Sequence, residues 1–260
     1  ALPYLFRVAG SVAVLDWQVV VAFSSVSAVA GGILVLLGGR SGPYDERAPG
    51  LSLGLARRAF SQPAVRLANL GYLGHMWELY AMWTWIPIFF LASFTAAGSD
   101  DPAAASMAAF VVVALGGAGC IGAGLLADRI GRTSLTIGAM ALSGTAAVLT
   151  ALTFGADPAL TLFLAIIWGV TVVADSAQFS AAVTELTPPG TAGSALTLQT
   201  AAGFTLTGVT ILLVGLIGTD DGGAWRVSFA ILALGPVVGI VAMWRLRRRP
   251  EAVRMAGGHR

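Results

Sequence analysis

Glu78 stands three residues after His75 in the run Gly71-Tyr-Leu-Gly-His-Met-Trp-Glu-Leu-Tyr-Ala-Met-Trp-Thr-Trp-Ile-Pro, whose other members are almost all apolar or aromatic. That spacing puts both side chains on one helical face, with Gly71, Gly74, Met82 and Trp85. A carboxylate beside an imidazole in an apolar stretch is chemistry for holding and passing a proton. Asp175 lies in a second apolar run, on a face shared with Trp168, Thr171 and Gln178, and Gln199 lies in a third. Counted from one end of each run, Glu78, Asp175 and Gln199 reach nearly the same depth, roughly 13 Å at about 1.5 Å per residue. His75, Glu78, Asp175, Gln178 and Gln199 are therefore the candidates for a proton or solute pathway. The alternative is structural: a buried His75–Glu78 hydrogen-bonded pair, with the two glutamines bonding helix to helix. Trp77, Tyr80, Trp83 and Trp85 offer faces for a cation or an aromatic ring, but they project in several directions, as packing side chains do.

A second group of polar residues falls in Gly124-Leu-Leu-Ala-Asp-Arg-Ile-Gly-Arg132, between two long apolar runs. Asp128 is placed to accept from free N–H groups at the start of the next helix. Arg129 and Arg132 can pair with acids on neighbouring helices, and Gly131 permits a tight turn. The glycines just before this stretch, Gly116, Gly117, Gly119 and Gly122, follow no strand and lie in an apolar run, so they are no phosphate loop. No GxSxG, HExxH or paired-cysteine motif occurs, and no enzyme, metal or cofactor is expected.

The elements that must position these residues are set by the solvent. The chain has 260 residues, 57% hydrophobic and 11% charged, with a mean hydropathy of +0.82. That composition belongs in a bilayer. Seven runs are long enough to cross one: 17–39, 69–96, 104–126, 134–154, 159–183, 192–217 and 225–245. They do not alternate apolar and polar as barrel strands do, so the expected fold is an all-α bundle of about seven transmembrane helices. Asp101-Pro102 and Asp157-Pro158 read as helix starts, and Pro87 and Pro236 as kinks. All fifteen basic residues are arginine. Arg40, Arg47, Arg57, Arg58, Arg66, Arg129, Arg132, Arg245, Arg247, Arg248, Arg249, Arg254 and Arg260 fall on one side; Arg7 and Arg226 fall on the other, with Asp16, Asp100, Asp101, Asp157, Asp220 and Asp221. The positive-inside rule makes the arginine side cytoplasmic and the chain a multi-pass cell-membrane protein. The basic tail then reads as a topology anchor, with no nucleic-acid partner. The single cysteine excludes a disulfide framework, and residues 1–16 lack the order of a signal peptide. The expected organisation is one span within 1–39, a cytoplasmic linker over 40–68, six spans over 69–247 and a basic tail over 248–260.

Residues 124–132 resemble the loop signature of the major facilitator superfamily, G-x-L-x-D-R-x-G-R-[RK], with Thr133 where the last basic residue usually stands. One span, a long linker and six closely connected spans resemble the last helix of that family's N-terminal half followed by its whole C-terminal half. The resemblance implies transport of a small polar solute by alternating access. It also implies a separate N-terminal six-helix half as partner, with the solute and membrane lipid as the other partners. Gly124, Asp128, Arg129, Gly131 and Arg132 would form a gating loop. The stretch 74–83 and the run 195–200 resemble nitrate/nitrite-type facilitators, whose intramembrane arginine and glycine signature this chain lacks. The other class consistent with seven spans is a membrane receptor; a retinal photoreceptor is excluded because Schiff-base attachment needs a lysine.

Overall fold

The structure, a computed structural model, describes residues 17–40, 52–218 and 221–259. The expectations placed on 1–16 and 41–51 lie outside the described residues. Among those described the chain is all helical, and seven spans are long and apolar enough to cross a membrane. The first is α1 (Trp17–Gly38). A short amphipathic helix, α2 (Leu53–Phe60), follows, and then α3 (Pro63–Ala96), α4 (Pro102–Ile130) and α5 (Arg132–Leu152). The fifth span of the bundle is split into α6 (Pro158–Ala174) and α7 (Ser176–Leu186). After α8 (Ala192–Ile217) the last span is split into α9 (Gly222–Leu232) and α10 (Leu234–Arg247).

Local chemistry sets these boundaries. Asp101 accepts from the N–H groups of Ala103 and Ala104, and Asp157 from those of Ala159 and Leu160. Each acid precedes a proline that occupies the first helical turn, where its missing N–H costs nothing. Helix α3 begins at Pro63, six residues before the span expected from hydropathy, so its first two turns belong to what composition marks as linker. It runs through Pro87 without a break. The last span does break, at Ala233, where Pro236 has no N–H to offer the carbonyls a turn before it.

The six spans after α2 pack as two interleaved triplets, α3–α4–α5 and α6/α7–α8–α9/α10. Helix α3 packs on α8 and α10 of the other triplet, and α6 packs on α4 and α5 in return. The third members, α5 and α9/α10, meet each other. This exchange is the contact pattern of a two-fold axis lying in the membrane plane, which relates two triplets of inverted topology. Helix α1 stands apart, exposed along nearly its whole length with Leu34, Leu36 and Leu37 bare. The tail is not free: Ala252 and Met255 are buried against the bundle, and Arg254 donates to the Leu186 carbonyl at 3.1 Å.

Lipid tails supply no hydrophobic drive between helices, so close contact must come from small residues. The α3–α10 crossing depends on this. A β-carbon on Gly74 would lie 2.9 Å from the Gly239 nitrogen and 3.0 Å from its Cα, against backbone that cannot swing aside. Gly74→Ala is therefore expected to lower the unfolding temperature in detergent, with about 1–3 kcal/mol of overpacking strain. Gly117→Ala, whose new methyl would meet nothing within 4 Å, should leave it unchanged or raise it.

Candidate functional site

Glu78 is 1% exposed, sits where α3 packs on α6, and reaches α5 through Ser143. Its Oε2 accepts from the Ser143 hydroxyl at 2.8 Å and its Oε1 from the Trp168 indole at 2.7 Å. An indole N–H is only a donor and must find an acceptor when buried. Glu78 supplies it, and in doing so ties a helix of one triplet to a helix of the other. Both donors are neutral. A charge at this depth is costly unless it is matched, and among the described residues no basic side chain pairs with Glu78.

His75, one turn away on α3, does not pair with Glu78 as its spacing suggested. Its Nδ1 lies 2.9 Å from Asp175 Oδ1 and its Nε2 3.1 Å from the Ser176 hydroxyl. Asp175 and Ser176 occupy the break between α6 and α7, so the polar cluster forms where a membrane helix is discontinuous. Hydropathy carries straight through this break. The signal for it was the Asp-Ser pair itself, two residues whose short side chains compete with helical backbone bonding. Asp175 is 1% exposed, and neither of its oxygens receives an aligned hydrogen bond among the described residues. The His75 ring nitrogen thus lies close to Asp175 without the alignment of a hydrogen bond. The Ser176 hydroxyl can donate or accept, so Nε2 is matched in either tautomer of the ring.

The charged turn is built differently from the loop expected. Helix α4 continues to Ile130, and Gly131 alone makes the turn, with a φ of +90° that favours glycine. Asp128 is in the last turn of α4, 74% exposed and 3.9 Å from Arg132, and it does not cap α5. The residue that organises this end is Arg132. Its Nε and NH2 donate to the two oxygens of Glu185 at 2.8 and 2.7 Å, a fork-on-carboxylate geometry, and its NH1 donates to Gln178 Oε1 at 2.7 Å. Glu185 also accepts from the Ala256 N–H at 3.2 Å, which draws in the tail. Sequence reasoning missed Glu185; a buried-end arginine in search of an acid on a neighbouring helix was the clue.

The predicted residues therefore fall into two linked groups. His75 with Asp175, and Glu78 with Ser143 and Trp168, form the intramembrane cluster. Gln178, expected there, instead joins Arg132, two residues along α7 from Ser176. Gln199 is buried, and its amide has no hydrogen-bond partner among the described residues. Arg129 is exposed, and Gly124 has open space beside it. Thr133 is completely buried, so a basic residue would not fit there without displacing its surroundings. Of the aromatics, Trp77 donates to the Ile231 carbonyl and Trp85 to that of Ile211, which fixes both as packing contacts between helices.

Arg132 and Glu185 are partly shielded and bidentate, so they should couple more strongly than a surface pair. A double-mutant cycle with Arg132→Gln and Glu185→Gln, read by unfolding in detergent, should give an interaction of about 1–3 kcal/mol. A value near zero would mean that the two ends are held by packing alone.

The chain matches the family model described as Major Facilitator Superfamily over residues 101–259, which takes in the charged turn, the helix break at Asp175 and the tail. No curated protein matches the chain. Two interleaved triplets of membrane helices, the charged turn after the second of them and this match agree: the chain belongs to the Major Facilitator Superfamily and is a multi-pass membrane transporter protein.

Proposed function

We propose that this chain forms the C-terminal half, with one further helix, of a proton-coupled secondary transporter that moves a small polar solute by alternating access. The observation that carries the reading is Asp175: a buried carboxylate at a membrane helix break, 2.9 Å from the His75 ring and with no aligned donor among the described residues. A structural pair would be expected to satisfy both partners; an underbonded carboxylate is suited to exchanging a proton or contacting a solute. Glu78, His75 and Asp175 would hold the coupling proton, and Gln199 would offer its free amide to the solute. Discontinuous helices place such groups near the bilayer midplane in other secondary transporters.

In this reading the solute cavity lies against a second six-helix half, and α1 belongs to that half. Its bare apolar length supports a partner surface. The arginine-rich end faces the cytoplasm of the cell membrane, on the positive-inside argument. Arg132, with Glu185 and Gln178, serves as the latch on that side, Gly131 as its pivot, and Asp128 as a weak exposed contributor. Chemistry on a substrate has no place in this account.

Glu78→Gln keeps an acceptor oxygen for Trp168 while removing the proton site, so it separates coupling from folding. With the complete set of helices in vesicles under an imposed proton gradient, Glu78→Gln and Asp175→Asn should abolish gradient-driven accumulation. They should keep solute exchange between equal proton concentrations. Accumulation that persists in both variants would remove proton coupling through these residues.

A further inference from the structure

Where α3 and α10 reach their arginine-rich ends, a cleft of about 570 Å3 opens between them. Arg66 lines one side and Arg245, Arg248 and Arg249 the other. Arg245 is in the last turn of α10, and Arg248 and Arg249 follow directly after its end, so all three reach the same cleft. The ion pairs among the described residues involve only His75 and Arg132 on the basic side, so these four guanidinium groups face the cleft without a carboxylate. Below them the wall turns apolar, with Leu67, Leu70 and Trp244. Leu70 and Trp244 are each 45% exposed and belong to helices long and apolar enough to cross a membrane. The Arg248 guanidinium stacks 3.4 Å over the Trp244 ring, which fixes the plane of its donor fork.

We propose that this cleft binds the phosphate of an anionic phospholipid headgroup, with an acyl chain laid along Leu70 and Trp244. A topology anchor requires only that arginines be present at one end, as Arg57 and Arg58 are on the exposed face of α2. Here the arginines are gathered around a shaped cavity between two membrane helices. Guanidinium forks match phosphate oxygens in pairs. The apolar floor that continues into the bilayer selects a lipid over a free anion. A basic pocket between membrane helices at one leaflet is the setting in which anionic headgroups are held. The site closes the α3–α10 seam at the end opposite Pro87, so its occupant would brace two helices that belong to different triplets. The inference needs only the membrane bundle and is independent of which solute is carried.

The test uses the whole chain purified in a neutral detergent. Dioleoylphosphatidylglycerol should bind at one saturable site, read by native mass spectrometry and by a rise in unfolding temperature. Dioleoylphosphatidylcholine and inorganic phosphate should do neither. Arg66→Gln with Arg249→Gln should weaken the lipid about thirty-fold, which is about 2 kcal/mol for two arginines. Arg57→Gln with Arg58→Gln should leave it unchanged. A photoreactive phosphatidylglycerol on the unaltered chain should label the 66–70 and 244–249 segments, which needs no variant to fold. Equal binding of the two lipids, equal binding by the two double variants, labelling elsewhere, or a response to inorganic phosphate alone would each overturn the proposal.

Discussion

In the hydrocarbon core a polar side chain has only other protein groups to bond. Glu78 meets that condition by taking one donor from each of two other helices, Ser143 of α5 and Trp168 of α6. The rest of the bundle follows from contacts of this kind. Hydrophobic burial does not hold helices together in lipid, so small residues at the crossings and a few shared hydrogen bonds decide which faces meet. Gly74 against Gly239 closes α3 on α10, and Glu78 closes it on α5 and α6. These join the two triplets where no loop connects them.

Helix α7 links the two polar groups. It is only 11 residues long, or about 16 Å. Ser176 at its start touches His75, Gln178 two residues later accepts from Arg132, and Glu185 near its end takes the other two arms of the same guanidinium. The intramembrane cluster and the charged turn are thus mounted on one short element that begins at the break after Ala174. A change in the hydrogen bonding of His75 and a change in the grip of Arg132 would both have to move it.

The fold was largely legible because the bilayer imposes length and apolarity on each span, and both are properties of composition. Helix starts at Asp101-Pro102 and Asp157-Pro158 were legible for a local reason, the capping acid before a proline. The family was legible in nine residues, although Thr133 departs from its pattern. What escaped depended on partners distant in sequence. Hydropathy averages over a window and cannot register the break at Asp175. Helical spacing places His75 beside Glu78 but says nothing of their partners, and each meets a different part of the split span α6/α7, Glu78 at Trp168 and His75 at Asp175 and Ser176. Asp128 looked like a cap until α4 proved to extend past it. Glu185 was one acid among several until Arg132 reached it across 53 positions of sequence.

The account stands on a single orientation: seven helices crossing the bilayer with the arginine-bearing ends together on one side. Side-selective thiol labelling reads this directly, since Cys120 is the one cysteine and can be replaced by alanine. Single cysteines at Leu53 and Val253, both exposed, should react with an impermeant reagent only from the inner face, and cysteines at Asp100 and Asp157 only from the outer. Reaction of Leu53→Cys and Asp100→Cys from the same face would contradict the account.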